Sequence, residues 1–165
     1  MLDMAYRTLK LSQGAFALVD EDDYERMNAV KWTLSGKYAQ RKIRMPDGSY
    51  TSELLHRAVL NAPRTLEVDH INGDGLDNRK INLRLSTRSQ NRAHSTLRKS
   101  TKTGFKGVYN NHRTKKFRAS IKADSRKYNI GTFATAEEAA RAYDREALRL
   151  HGEFAVTNQM LGLLA

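Results

Sequence analysis

The 165-residue sequence contains no cysteine. Disulfide bonds and cysteine-ligated zinc are therefore excluded as supports for the fold, and the absence fits a reducing compartment. No apolar run approaches the roughly 20 residues that a membrane-spanning helix needs, and residues 1–10 lack the apolar segment of a signal peptide. We therefore expect a soluble protein of the cytoplasm, with no disulfide partner and no membrane association.

Acidic residues are also scarce. The chain has 29 Lys and Arg against 18 Asp and Glu, which gives a net charge of +11. Residues 99–127 contain ten basic residues and a single acid, Asp124. A basic run is often only a solvated face, but an excess of this size favours a polyanionic partner, and double-stranded DNA is the first candidate.

The first 65 residues have the patterns of a small β-rich lobe. Alternating apolar residues predict a hairpin over residues 1–20, and the turn Pro46-Asp47-Gly48 joins two predicted strands. Asp22 and Glu25 have the spacing of a capping box and predict a short helix that closes on Trp32. The lobe therefore combines strands with at least one helix.

Residues 66–97 do not look like ordinary globular sequence. They predict a short strand that ends in Asp69-His70, a glycine-rich loop, a second short strand and a helix. A carboxylate beside an imidazole, with carboxamides returning from the loop and the helix, suits a site for one hard metal ion, Mg²⁺ or Mn²⁺. Asp69 and Asn91 would supply oxygen ligands, and His70 would act as a general base.

This stretch resembles the HNH nuclease family in the order of Asp69, His70, Asn82 and Asn91. The resemblance implies a ββα-metal hairpin that hydrolyses DNA phosphodiester bonds, with the metal on Asp69 and Asn91. It also implies that the Asn82 side chain ties the loop to the backbone around His70 and so orients the imidazole. Turn chemistry alone explains Asp69 and His70 poorly, because it does not produce the spacing of the two later asparagines.

Three neighbouring residues have less specific interpretations. His56 lies in a Leu-His-Arg segment before the hairpin, and it contacts the substrate backbone, buttresses the site or packs at a lobe interface. Asp77 and Asn78 are interpreted as loop-forming residues, since Asp, Asn and Gly cluster in turns for reasons of backbone geometry.

The C-terminal part predicts a three-stranded sheet with one helix, after a basic linker over residues 98–103. A capping box at Thr135 begins an amphipathic helix that ends at Gly152. The strands are predicted over residues 104–110, 116–122 and 127–133.

The sequence therefore predicts an α+β protein. Its parts are a lobe (1–65), the hairpin (66–97), the linker (98–103), the sheet domain (104–158) and a tail (159–165).

Alternation along the middle strand gives this sheet a basic outer face. Arg118, Ser120 and Lys122 point away from the predicted helix, and Lys127 and Asn129 of the third strand join them. A sheet face of this kind fits the major groove of DNA, which admits a β-ribbon.

Residues 104–158 resemble the DNA-binding domain of plant ethylene-response factors. The resemblance lies in Gly104-Phe105-Lys106-Gly107-Val108-Tyr109, in Ile130-Gly131-Thr132-Phe133 and in the segment from Thr135 to Asp144 with the closing Thr157-Asn158. It implies a sheet that lies in the major groove, although several of its residues depart from the plant pattern, so the plant target sequence is not implied. The implied reading positions are Lys106, Tyr109, Asn111, Lys122, Lys127 and Asn129.

We therefore predict a metal-dependent endonuclease that nicks or cleaves DNA as a monomer. A homing, mobile-element or phage role is implied by resemblance only. The alternative is a non-catalytic, sequence-specific DNA-binding regulator, which incubation with supercoiled plasmid would distinguish. RNA is a weaker candidate, because Tyr109 is the only aromatic side chain predicted on the sheet face.

Overall fold

The computed structural model describes residues 5–94 and 102–164. Most of the predicted basic linker (98–103) lies outside the described residues. The chain divides into a first unit that ends at Ser86 and a second unit that begins at Thr87. Small antiparallel sheets and separate helices make up both units, so the predicted α+β class is confirmed. Among the helices in the described ranges, none has the length and apolar character needed to cross a membrane.

The first unit consists of two hairpins, one three-stranded sheet and two helices. β1 pairs with β2, β4 lies between β3 and β5, and β6 pairs with β7. The predicted hairpin of residues 1–20 and the strand pair around Pro46 are confirmed. The elements are β1 (Tyr6–Lys10), β2 (Phe16–Asp20), α1 (Glu21–Asn28), β3 (Thr33–Ser35), β4 (Tyr38–Arg44), β5 (Tyr50–Leu54), α2 (Leu55–Leu60), β6 (Glu67–His70) and β7 (Leu83–Ser86).

One hydrophobic core runs through this unit. Trp32 is its largest fully buried side chain, and the indole Nε1 donates a hydrogen bond to Met27 O at 2.8 Å. Val68 of β6 and Leu83 of β7 belong to the same core. Full burial of such a side chain contributes about 1.5–3 kcal/mol, so the β6–β7 hairpin is held on the N-terminal lobe by shared packing.

The predicted capping box of Asp22 and Glu25 is wrong. The N-cap of α1 is Asp20, and its side chain makes no capping hydrogen bond. Instead, Asp20 Oδ2 accepts a hydrogen bond from the main-chain nitrogen of Lys80 at 2.7 Å. The Asp20 carboxylate therefore binds Lys80, which is distant in sequence, and does not cap the first turn of α1.

The second unit contains one short helix, a three-stranded antiparallel sheet in the order β10-β9-β8, and one long helix. The predicted capping box is confirmed: Thr135 Oγ1 accepts from Glu138 N at 3.1 Å, and Glu138 Oε2 accepts from Thr135 N at 3.3 Å. Apolar residues of α4 pack against Val108, Ala119 and Ile121 of the sheet. The elements are α3 (Arg88–Ala93), β8 (Val108–Asn111), β9 (Lys116–Ala123), β10 (Arg126–Phe133) and α4 (Ala136–His151).

Candidate active site

The β6–β7 hairpin positions Asp69 and His70 at the end of a strand. β6 pairs with β7 so that Asp69 lies opposite Arg84 and His70 lies opposite Leu83. Both side chains are only 5% exposed. Buried polar groups are normally hydrogen-bonded in proteins, so the partners of these two side chains indicate what the site can do.

Arg84 binds Asp69 through one carboxylate oxygen. Its Nε lies 2.9 Å from Asp69 Oδ2, and its Nη2 lies 2.8 Å from the same atom. Charge-assisted bonds of this kind are strong and directional, so they fix the orientation of the carboxylate. Carboxylate oxygens are the ligands that Mg²⁺ and Mn²⁺ prefer.

The His70 imidazole lies among other rings. Its centroid is 5.0 Å from that of His56 and 5.8 Å from that of Tyr38. His70 Nε2 is buried, and no described residue forms a hydrogen bond with it. Burial lowers the pKa of His70, while Asn78 and Asp69 oppose the shift. The imidazole is therefore neutral near pH 7, and the tautomer protonated at Nδ1 can accept a proton at Nε2.

Asn82 fastens the loop that follows His70. Its Oδ1 accepts a hydrogen bond from the main-chain nitrogen of Asn72 at 2.9 Å, and its Nδ2 donates to Asn72 Oδ1 at 3.0 Å and to Asp77 O at 2.8 Å. The main-chain carbonyl oxygen of Asn82 accepts a hydrogen bond from Ile71 N at 2.9 Å. These bonds hold the backbone directly after His70, and a catalytic part for Asn82 stays a prediction.

Asn78 is a site residue that the sequence analysis missed. It is completely buried, its main-chain nitrogen donates to Leu18 O at 2.8 Å, and its Nδ2 donates to Leu76 O at 2.9 Å. The Asn78 side chain also interacts with the imidazole and raises the pKa of His70 against the effect of burial. The sequence does not distinguish Asn78 from other loop asparagines, because the hydrogen bond to Leu18 of β2 that positions it joins residues far apart in the chain.

The ligands available here fit a hard cation. Among residues 5–94 and 102–164, no three His, Cys, Asp or Glu side chains come together in an arrangement that could hold a metal. A zinc site of the usual nitrogen and sulfur ligands is therefore not formed by these residues. Asp69 offers one carboxylate, which is the kind of oxygen ligand that hard divalent cations take.

Asn91, the second predicted ligand, belongs to α3 in the second unit. A capping box begins this helix, in which Thr87 Oγ1 accepts from Gln90 N at 3.3 Å and Gln90 Oε1 accepts from Thr87 N at 2.8 Å. The main-chain nitrogen of Asn91 donates to Thr87 O at 3.0 Å. The helix predicted after the second strand is therefore present, with Thr87 as its N-cap, and metal binding by Asn91 stays a prediction.

The outer face of the β8–β9–β10 sheet gathers most of the predicted DNA-contacting side chains. Directly paired residues of antiparallel strands project from the same face, and Tyr109 pairs with Arg118 while Lys127 pairs with Lys122. Ser120, also predicted on this face, pairs with Asn129 but is only 4% exposed. The predicted residues exposed on this face are Tyr109, Asn111, Arg118, Lys122, Lys127 and Asn129.

Lys106 does not join that face. Its Nζ donates to Ala93 O at 2.7 Å and to Val156 O at 3.1 Å, and its main-chain nitrogen donates to Asn158 Oδ1 at 2.6 Å. Burial lowers the pKa of Lys106 to about 8, although the charge of Asp144 opposes the shift. The Lys106 side chain thus links the end of α3 to the segment after α4 through hydrogen bonds. A sequence pattern of neighbouring residues does not predict these long-range bonds.

Comparison with known proteins decides the family. The sequence profile of the family described as "HNH endonuclease" matches residues 61–93. The "Uncharacterized HNH endonuclease L560" of Acanthamoeba polyphaga mimivirus is 32% identical over 160 residues, which cover 94% of this chain and 81% of the relative. The chain belongs to the HNH endonuclease family. "Protein 3.8" of Escherichia phage T7 is 30% identical over 93 residues, 56% of this chain and 76% of that protein. No solved structure matches the chain significantly.

In this HNH-family protein, the His56 ring packs against His70, the candidate general base. It is 5% exposed, and its ring centroid lies 5.2 Å from that of Tyr38. Burial lowers the pKa of His56 to about 3, and the charges of His70 and Arg57 act in the same direction. Of the interpretations that the sequence left open for His56, the burial of the ring favours packing over contact with the substrate backbone.

We expect acid to destabilise the protein through His56. The pKa is about 3 in the folded state and about 6.5 in the unfolded chain, so between these values the unfolded chain binds a proton that the folded protein does not. Stability is therefore lost as the pH falls through this window, by about 2–3 kcal/mol at pH 4.5. Urea unfolding of wild type and His56→Gln at pH 7.5 and 4.5 tests this. The variant should lose less stability than wild type, and equal losses would contradict the assignment.

Proposed function

We propose that this HNH-family protein is a metal-dependent endonuclease that nicks DNA. The observation that supports it best is the burial of a carboxylate and of a neutral imidazole, Asp69 and His70, at consecutive positions at the end of β6. The His70 Nε2 atom has no partner among the described residues, although a buried polar nitrogen normally has one. A substrate water molecule would provide that partner.

Each residue of the hairpin has a part in this chemistry. His70 takes the proton of the attacking water, which its neutral form can do near pH 7. Asp69 and Asn91 are the residues that would hold a divalent metal ion, each through a side-chain oxygen. Such an ion, Mg²⁺ or Mn²⁺, would supply Lewis-acid stabilisation of the transition-state charge. Asn82 and Asn78 keep the loop and the imidazole in a fixed orientation.

The sheet of the second unit would supply DNA affinity. Its exposed face combines the cations of Arg118, Lys122 and Lys127 with the side chains of Asn111 and Asn129. Cations neutralise phosphates without regard to sequence, whereas carboxamides read base edges in the major groove. The resemblance of residues 104–158 to the plant DNA-binding domain supports docking of this face in the major groove.

The organisms of the two relatives support a proposal for the biological setting. One belongs to a giant virus and one to a bacteriophage, which supports a viral or mobile-element role for this protein. The one hydrolytic site that we propose within residues 5–94 and 102–164 would cut one strand at each encounter, so we propose that the protein nicks as a monomer.

Supercoiled plasmid tests the proposal. Incubation with the protein and Mg²⁺ should convert the plasmid to the relaxed, nicked form, and EDTA should stop the conversion because the charge stabilisation is then lost. Mn²⁺ should restore cleavage after removal of the chelator. An intact plasmid with each of several divalent metals, together with retained DNA binding, would favour the non-catalytic DNA-binding regulator instead.

A further inference from the structure

The β3–β4–β5 sheet of the first unit has two different faces. Successive side chains of a strand point to opposite faces, and Ala39 of β4 is 1% exposed within the core. On that core-side face, Arg41 binds Glu53 of β5 with a distance of 2.6 Å between Nη2 and Oε2. The even-numbered residues of β4 therefore lie on the opposite, outer face of the sheet. The strand register places Ser52 and Tyr50 of β5 beside Lys42 and Arg44 on that face. The members of this outer face are Tyr38, Gln40, Lys42, Arg44, Tyr50 and Ser52.

The distal part of this face is basic and uncovered. Lys42 lies opposite Ser52, Arg44 lies opposite Tyr50, and both cations are exposed. In the described part of the chain, neither cation forms an ion pair. The Tyr50 side chain is 66% exposed. Two unpaired cations beside an exposed aromatic ring form a surface suited to a polyanion.

The nearer acids do not neutralise these cations. Glu53 is engaged by Arg41 on the opposite face. Asp47, in the turn between the strands, accepts hydrogen bonds from Ser49 N at 2.9 Å and from Ser49 Oγ at 2.6 Å. The local excess of positive charge therefore remains available to a partner.

The inner end of this outer face lies beside His70, the candidate general base. Tyr38 is the first residue of β4, and its ring contacts those of His70 and His56. Gly75 of the hairpin loop approaches this point so closely that a Cβ would overlap Lys37 O and the Tyr38 ring. The outer face is thus joined to the site by packing, and it runs from Tyr38 outward to Arg44.

We propose that this outer face binds the phosphate backbone of the DNA substrate on one side of the scissile bond. The inference rests on the proposed endonuclease function, which identifies the polyanion as DNA. From Tyr38 to Arg44 the strand extends about 20 Å, and that distance corresponds to about six base pairs of duplex. Lys42 and Arg44 would neutralise phosphates, while Tyr50 would pack against the sugar backbone beside them.

The salt dependence of DNA binding tests the surface without requiring cleavage. In the His70→Ala background, which keeps the DNA intact, the Lys42→Gln/Arg44→Gln pair should lower the slope of log Kd against log salt by about 1.8, since each phosphate contact contributes about 0.9. Both side chains are exposed, so thermal unfolding should be unchanged. An unchanged slope would overturn the proposal.

Two matched pairs make the result specific. Lys10→Gln/Arg64→Gln removes the same charge from exposed positions outside this sheet, and its slope should equal that of the parent protein. If the slope of Lys10→Gln/Arg64→Gln falls as much as that of Lys42→Gln/Arg44→Gln, the loss of net charge alone explains the change. The proposed DNA-binding surface is then refuted. Arg118→Gln/Lys122→Gln reports separately on the sheet of the second unit.

The nicking assay separates this inference from the proposed function. With His70 present, Lys42→Gln/Arg44→Gln should raise KM for plasmid and leave kcat unchanged, because the contacts lie away from the reacting atoms. If the protein with His70 present does not nick DNA, the endonuclease proposal fails, while the salt slope still decides whether this surface binds DNA.

Discussion

Replacement of His70 by alanine should lower the rate of plasmid nicking by about 10²–10⁴-fold, the usual contribution of a positioned general base. The imidazole is the proposed proton acceptor, and burial keeps it neutral near pH 7 by lowering the pKa of His70. DNA affinity should change little, because the exposed cations lie elsewhere on the protein. Single-turnover nicking and DNA binding, measured on the same preparations, check both expectations.

Chemical rescue separates proton transfer from structural damage in this variant. Loss of the ring leaves a space beside His56 and Tyr38, whose centroids lie 5.0 and 5.8 Å from that of His70. Imidazole added to the buffer should restore part of the nicking activity if the missing function is proton acceptance. Full activity in His70→Ala without rescue would remove His70 from the mechanism.

The elements predicted correctly are those set by neighbouring residues. The capping box of Thr135 and Glu138 lies within four consecutive residues, and the structure contains it. The turn at Pro46 likewise needs only local geometry. By contrast, Asp20 takes over the N-cap of α1 while its carboxylate binds Lys80 N, 60 residues away. Local spacing could not reveal that contact.

The same distinction holds in the candidate site. The order of Asp69, His70, Asn82 and Asn91 is a linear pattern, and the sequence identified it. The contact of Asn78 with the imidazole depends on β2, and the burial of the Lys106 ammonium depends on carbonyl groups from Ala93 and Val156. A resemblance to a DNA-binding sheet therefore assigned Lys106 to the reading surface, whereas tertiary hydrogen bonds hold it elsewhere.

Substitution of Asp69 should abolish nicking and leave DNA binding nearly intact. The carboxylate is the proposed anionic ligand of the metal, and Lewis-acid stabilisation contributes several kcal/mol to the transition state. A loss of about 4 kcal/mol corresponds to a rate reduction of about 10³-fold. Docking depends instead on exposed cations. The prediction is checked by nicking rates in Mg²⁺ and by DNA affinity in EDTA.

The Arg84 contact determines which variant gives the clearest answer. Asp69→Ala leaves a guanidinium whose side chain is 14% exposed without the carboxylate that binds it at 2.8 Å, and removal of one partner from such a buried pair costs about 3–5 kcal/mol. Asp69→Asn retains an oxygen that can accept from Arg84 but removes the negative charge from the metal site. Both variants should lose nicking, whereas only Asp69→Ala should unfold at markedly lower urea concentration. If DNA affinity collapses in a stably folded Asp69→Asn protein, the Asp69 carboxylate is needed for docking as well as for chemistry, which contradicts the role proposed here.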